Sequence, residues 1–427
     1  MKQSGIDWIG EIPDDWKTRQ IRYLFSLRDE KNYKPLSEVN LISVYTDKGV
    51  LQHSDIEQTT GNKAQNADGY KHVYKNDLVV NIILCWMGAL GISDFDGVTS
   101  PAYDVYAPKD LNTILPKYYH YLFRTPQFNG KCYTEGRGIM QMRWRTYSSE
   151  FKSIKVPLPP KATQQRIAEY LDSKCAQIDS IIEESKKSIE EYKAWKQSVI
   201  FEAVTGKNLN GKKKDSGIEW IGEIPAEWEV KRFKFVVTSL EKGAGITKEE
   251  VFEDGDTPCV RYGEIYSKYD QSFSNCISKT YSSKIPVQKY FTNGDILFVG
   301  TGELVEEIGK CIAYLGNENC LAGGDIFIAK HKQNPIFLGY AMNSSYAQNQ
   351  KSRNKAKLKV VHISATEIGD VQILLPPIPE QESIAKMLDS KCAQIDSLIA
   401  EKESLIADLT EYKKSLIFEV VTGKRSV

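Results

Sequence analysis

Leu171-Asp-Ser-Lys-Cys-Ala-Gln-Ile-Asp-Ser180 occurs a second time, unchanged, at residues 388–397, an offset of 217. From Leu171, alternating steps of four and three land on Cys175, Ile178, Ile182, Ser185, Ile189, Tyr192, Lys196 and Val199. The same walk from Leu388 lands on Cys392, Ile395, Ile399, Lys402, Ile406, Leu409, Lys413 and Leu416. Seven of the nine positions are apolar in each copy, and the polar ones fall at the same two places. An apolar seam of that period, sustained for about four heptads, marks a coiled coil; an amphipathic helix on a globular core keeps it less long. The pairing residues expected from it are Leu171, Ile178, Ile182 and Ile189 in one helix and Leu388, Ile395, Ile399 and Ile406 in the other.

Local punctuation sets the ends of these helices. Leu158-Pro-Pro160 and Leu375-Pro-Pro-Ile-Pro379 precede them, and proline suits a first turn but not a helix interior. Gly206 and Gly423 follow the last apolar turn, where a left-handed cap is expected. Residues 164–204 alone would span roughly 60 Å at 1.5 Å each. Working outward, Ser4-Gly-Ile-Asp-Trp-Ile-Gly-Glu-Ile-Pro13 returns as Ser216-Gly-Ile-Glu-Trp-Ile-Gly-Glu-Ile-Pro225, an offset of 212 with one Asp-to-Glu change. Two constant blocks therefore alternate with two diverged stretches, and the repeat closes on itself in a circle. A polar linker (residues 206–215) joins the first helix to the second short block and reaches at most about 34 Å. The pseudo-symmetry predicts that the second helix ends near Ser4.

The composition is that of a folded protein of two or more domains: 427 residues, 41% apolar and 26% charged. The longest apolar stretch, residues 78–92, contains Asn81 and lies between Asp77 and Asp94, so it reads as buried strands rather than a membrane span. The N-terminus shows no secretory signal pattern. Eight cysteines without a CxxC pair suggest free buried thiols in a reducing cytoplasm. The charges, 56 basic and 56 acidic, cancel. Their distribution is uneven, and there lies the clue to a partner.

The diverged stretches, residues 14–157 and 226–374, alternate strand-like runs (Asp77-Leu-Val-Val, Asp295-Ile-Leu-Phe-Val, Asp325-Ile-Phe-Ile-Ala) with Gly- and Asn-rich turns. One helix is expected over residues 116–128 and one over 335–348. Just before each long helix comes a basic segment. The first carries Lys131, Arg137, Arg143, Arg145, Lys152 and Lys155 against Glu135 and Glu150. The second carries Lys351, Arg353, Lys355, Lys357 and Lys359. Basic side chains beside Tyr133, Trp144 and Tyr147 suit phosphate contact and base-edge reading. A solvated loop is the bland alternative, and the matched position in two diverged copies argues against it. The expected DNA contacts are Arg137, Arg143 and Arg145 in the first domain and Lys351, Arg353, Lys355, Lys357 and Lys359 in the second. Trp8, Trp16, Trp220 and Trp228 belong to the constant blocks and are expected to pack them against the helix ends.

Catalytic signals are weak. Phe298-Val-Gly-Thr-Gly302 is a lone Gly-rich turn, and the Asn/Asp-Pro-Pro-aromatic motif that amino-methyltransferases need is missing. Gly206-Lys-Asn-Leu-Asn-Gly-Lys-Lys213 lacks the closing Ser/Thr of a phosphate loop and follows a helix. The histidines (His53, His72, His120, His331, His362) have no ligand partner at metal spacing. No catalytic residue, no cofactor and no metal is expected.

The block SGIxWIGEIPxxW, at residues 4–16 and 216–228, resembles the DNA specificity subunits of type I restriction-modification systems. So do Leu375-Pro-Pro-Ile-Pro-Glu-Gln381 and the twin seams. Asp77 to Tyr106, with Trp86-Met-Gly-Ala-Leu-Gly-Ile92 and Ser100-Pro-Ala-Tyr103, looks like a target-recognition domain of that family. Lys161-Ala-Thr-Gln-Gln165 departs from the Pro-Glu-Gln pattern at the first helix start. The resemblance covers nearly the whole chain. It implies two α+β target-recognition domains, each reading half of a split double-stranded DNA sequence, on two long helices paired as an antiparallel coiled coil. It also implies two modification (methyltransferase) subunits that methylate adenines, restriction (translocase-nuclease) subunits, and no catalysis or membrane contact by the chain itself. In a parallel pair Cys175 and Cys392 would sit side by side; in an antiparallel pair they lie apart. The expected division is residues 1–157 (first constant block and recognition domain), 158–206 (first helix), 207–374 (linker, second block, second recognition domain) and 375–427 (second helix). Two other classes are open: an enzyme that cuts or methylates DNA alone, and a coiled-coil scaffold that recruits proteins without reading DNA.

Overall fold

The computed structural model describes residues 1–55, 66–138, 144–219, 221–302, 304–353, 355 and 360–427. The chain divides into two units, Met1–Lys186 with Glu403–Val427, and Lys187–Lys402. Each holds one α+β domain and part of both long helices.

In the first unit an antiparallel sheet has the order Phe25–Arg28, Tyr103–Pro108, Leu78–Asn81, Leu90–Ile92. The second unit repeats it as Val237–Lys242, Ile326–His331, Ile296–Val299, Cys311–Tyr314, and adds Ser272–Phe273 in parallel at the edge. The strand-like runs are the central strands, and they are apolar throughout because both faces are covered. Leu78 and Val80 enter one core cluster and Val79 another; likewise Ile296 and Phe298 part from Leu297 and Val299. The same turn feeds both strands. Asp77 Oδ2 accepts from Tyr74 N at 2.9 Å, and Asp295 Oδ2 from Thr292 N at 2.8 Å. The left-handed position is filled by Asn76 (φ 75°) in one copy and Gly294 (φ 88°) in the other, residues that tolerate that conformation.

Each single helix expected in the diverged stretches is in fact two: Pro116–Phe123 and Pro126–Glu135, then Pro335–Asn343 and Ser345–Lys351. The break is a hydroxyl cap. Thr125 Oγ1 donates back to Leu122 O and accepts from Phe128 N; Ser344 Oγ does the same with Ala341 O and Ala347 N. A side chain that satisfies both the last carbonyl of one helix and the first amide of the next lets the chain turn without an unpaired group.

The long helices run over Lys161–Thr205 and Ile378–Val421, directly after their proline leads. Every one of the eighteen seam positions is buried or half-buried. They pair antiparallel. In the first unit the early part of one helix meets the late part of the other, with Lys413 Nζ 2.6 Å from Asp179 Oδ1. In the second unit Lys196 Nζ lies 2.7 Å from Asp396 Oδ2. Lys196 and Lys413 are polar seam positions, so in each unit an interruption of the apolar seam is an interhelical ion pair. Cys175 carries the charge of Lys413 beside it and Cys392 that of Lys196; each thiol therefore faces the far end of the other helix.

Both predicted glycine caps are left-handed, Gly206 at φ 66° and Gly423 at φ 73°. Each is pressed against a constant block. A Cβ on Gly206 would lie 2.6 Å from Pro225 Cδ and 3.2 Å from Trp228 Cη2. A Cβ on Gly423 would lie 2.4 Å from Pro13 Cδ and 3.1 Å from Trp16 Cη2. The second helix thus ends on the first short block, as the circular repeat demands. Trp16 and Trp228 pack the helix ends as expected. Trp8 does not: its ring meets Phe128 of the diverged α+β domain, edge-on at 5.6 Å. Trp220 lies outside the described residues.

Candidate nucleic-acid interface

Two side-chain links tie each diverged α+β domain to its long helix. Tyr121 OH donates to Asp172 Oδ1 at 2.7 Å, and Tyr340 OH to Asp389 Oδ1 at 2.9 Å. Gln164 and Gln381, both fully buried, act as staples. Gln164 accepts from Leu115 N and donates to the carbonyls of Thr113 and Pro159. Gln381 accepts from Asn334 N and donates to Gln333 Oε1 and Pro376 O. The sequence reading missed both, although their shared offset of 217 was a usable signal, and the first survives where the Pro-Glu-Gln pattern is lost. Gln381→Leu is expected to cost about 2–3 kcal/mol in a denaturant titration, since it leaves several buried polar groups without partners. No change would show that the staple is dispensable.

The basic segments occupy the same place in both units: a loop between the second helix of the domain (Pro126–Glu135 or Ser345–Lys351) and a short helix (Ser148–Ser153 or Ala365–Asp370) that precedes the long one. The same backbone bond pins each loop. Thr146 N donates to Ile82 O at 3.0 Å, and Ile363 N to Gly300 O at 2.9 Å; both carbonyls lie one residue beyond the end of a buried central strand. After the short helix, Lys155–Leu158 pairs with Lys17–Gln20, and Gln372–Leu375 with Glu229–Arg232, clasping the exit to the constant block.

The first loop is closed at its base by reciprocal bonds between Arg137 and Arg145. Both side chains are exposed. Arg137 lies 3.2 Å from Glu150 and stacks over Tyr147 at 5.0 Å. Trp144 stacks on Tyr133 at 5.0 Å and donates to its carbonyl. Arg143 falls outside the described residues, as do Lys357 and Lys359 of the second loop. There Arg353 is exposed, whereas Lys355 is held by Glu367 and by His362 O.

Lys351 corrects the expectation for its position. It is 2% exposed, and its ammonium is turned inward to Gly309 O at 2.7 Å. It can offer nothing to a phosphate. Burial pushes its pKa down to about 8, whereas the unfolded group titrates near 10.5. Between those values the unfolded chain holds the proton and the folded chain does not, so stability should rise as pH climbs from 8 towards 10.5. Lys351→Met is expected to abolish that rise in unfolding curves; a persistent rise would assign it to another group.

Thr301-Gly302, within the Gly-rich turn, pairs with Val361-His362. Among the described residues no cluster of His, Cys, Asp and Glu could hold a metal, and no helix is long and apolar enough to cross a membrane. All eight cysteines are free thiols.

Comparison with known proteins agrees with this architecture. The family model of the type I restriction modification DNA specificity domain matches twice, over residues 13–191 and 225–406. The chain belongs to that family. It is 25% identical over 426 residues to the type I restriction enzyme MjaVIII specificity subunit of Methanocaldococcus jannaschii, spanning 97% of this chain and 93% of the relative. It is 24% identical to the EcoKI specificity subunit of Escherichia coli over 65% of this chain and 59% of that protein. Two solved structures share the fold. One, from work on complex assembly and conformational transition of the type I R-M system, gives a TM-score of 0.71 at 14% identity, covering 97% of this chain and 100% of its own. The HsdS subunit from Thermoanaerobacter tengcongensis gives 0.56 at 15%, covering 97% and 98%.

Proposed function

We propose that this chain is the DNA specificity subunit of a type I restriction-modification complex and catalyses nothing itself. Each recognition domain reads one half of a bipartite double-stranded target. The paired helices hold the readers and dock two adenine-modifying methyltransferase subunits; translocase-nuclease subunits join for cleavage, in the cytoplasm. Functionally the chain divides at residues 157, 206 and 374, between readers and helices.

The observation that carries this reading is the basic loop pinned identically in two diverged domains. Arg137, Arg145 and Arg353 meet phosphate or bases. Arg143, Lys357 and Lys359, neighbours in sequence, are proposed to join them. Lys355 contributes once freed from Glu367. Replacing Arg353, Lys355 and Lys357 together with Ala should weaken duplex binding and lower the salt slope by about 0.9 for each phosphate left unneutralised. Unchanged affinity and slope would remove the loop from the interface. A gel shift on duplex DNA, with the methyltransferase subunits present, tests the function as a whole. Sequence-dependent retention supports it, and no retention of any duplex favours a scaffold that recruits only proteins.

A further inference from the structure

The second recognition domain carries a cleft that the basic loop does not use. Its floor is bare main chain, Gly245, Gly323 and Gly324; Lys242, Arg261 and Asp325 stand around it. A Cβ on Gly324 would press to 3.2 Å from Gly245 Cα, so the two glycine segments pack closely there.

Arg261 is held there by an unusually fixed carboxylate. Glu264 is buried. Its Oε1 accepts from Arg261 Nε at 3.3 Å and Nη2 at 2.9 Å, and from Ser278 Oγ at 2.6 Å. Its Oε2 accepts from the Arg261 backbone N at 3.0 Å. The grip takes the side edge of the guanidinium. The end-on edge, Nη1 with the outer N–H of Nη2, is left over, and among the described residues Nη1 has no acceptor. Two parallel donors on a rigid fork match the O6 and N7 acceptors of guanine in the major groove.

Charge decides between a base and a phosphate. Lys242 has Asp325 at 3.8 Å on the rim, and Arg261 has the buried Glu264 behind it, so each cation of the cleft is already paired with a carboxylate. A phosphate site would leave its cations uncompensated. Interleaved donors and acceptors instead suit base edges, where a carboxylate can accept from cytosine N4. The first domain offers a contrast. Arg28 is gripped by Asp77 at 2.9 Å, approached at Nη1 by Glu30 at 3.6 Å and covered by the Tyr74 ring at 4.6 Å. Its outer edge thus already faces a second carboxylate and an aromatic ring, which Arg261 lacks among the contacts of the described residues.

We infer that Arg261 reads a guanine in the half-site of the second domain, with Glu264 as the positioning residue that aims its fork. This rests on the reading of the chain as a specificity subunit. The test is selection from a random duplex pool by the full chain with its methyltransferase subunits. Arg261→Ala should lose guanine preference at one position of one half-site, by about 10- to 100-fold, with the other half-site intact. Arg261→Lys keeps the charge but not the rigid fork, so it should weaken the same preference at an unchanged salt slope. Glu264→Gln should relax that position alone, which a merely structural role would not do. An unchanged consensus with Arg261→Ala overturns the assignment. So does uniform weakening with a lower salt slope, the mark of a phosphate contact. A wild-type complex that selects no consensus defeats the underlying reading instead, and the two failures are thereby told apart.

Discussion

Trp228→Ala is expected to destabilise the second unit by about 3–5 kcal/mol, the usual cost of truncating a large buried ring. Trp228 is fully buried. It touches three pieces of chain far apart in sequence: Gly206 at the end of the first long helix, Pro225 of its own constant block, and Glu380 in the first turn of the second long helix. Its Nε1 donates to Glu380 Oε2 at 3.0 Å. Removing the ring opens a cavity at this junction and leaves a half-buried carboxylate oxygen without its donor. Glu380→Ala, which loses only the hydrogen bond, should cost about 1 kcal/mol. Trp16 is buried against Gly423 in the same way, but Thr163 stands where Glu380 stands in the other copy. Trp16→Ala should therefore spare the charge-assisted part of the loss. Denaturant unfolding read by hydrogen exchange separates the units. A loss below about 1 kcal/mol for Trp228→Ala would mean that the junction closes without the ring.

Acid should begin to destabilise the protein below about pH 6.5, before the carboxylates titrate. Each unit holds one half-buried imidazole whose Nδ1 accepts a backbone hydrogen bond and is therefore unprotonated. His120 Nδ1 accepts from Ile92 N at 3.3 Å, and His331 Nδ1 from Gln333 N at 3.1 Å. Burial pushes both down to about 4, and the cations of Arg124 and Lys117 reinforce the effect at His120. Unfolded histidine titrates near 6.5. Above that pH neither state binds the proton and the stabilisation is complete. Between 6.5 and 4 only the unfolded chain takes it up, so stability falls through that window. The loss is on the order of 3 kcal/mol for each group. Midpoints measured from pH 7 to 4 should drop steeply, and His331→Gln should flatten the drop in the second unit only. A profile flat to pH 5 would show that water reaches these rings.

The parts of the fold legible in sequence are those set by neighbouring residues. The seam from Leu171 and from Leu388 shows because burial along a helix repeats with the helix itself; the proline leads and Gly206 and Gly423 show because their backbone demands are local. The split helices were harder: Thr125 and Ser344 read as ordinary polar residues until their two-way caps are seen. Lys351 was hidden for a deeper reason. In a run of alternating cations it looks like Arg353, and only the left-handed turn at Gly309 (φ 69°) makes room for its stem. Trp8 is harder to read, because its contact with Phe128 joins a constant block to a diverged stretch and leaves no mark in either sequence. Arg261 and Glu264 did leave a trace, an Arg-x-x-Glu spacing after a strand, but nothing local says which edge of the guanidinium faces out.

The central claim, two readers on one antiparallel frame addressing one split site, is tested most directly by mapping methylated adenines in the host genome with and without this gene. The account predicts a set of methylated adenines that vanishes with the gene. Before deletion these lie in two short defined blocks separated by a constant number of undefined base pairs. An identical map after deletion, or gene-dependent methylation confined to one uninterrupted motif, would contradict it.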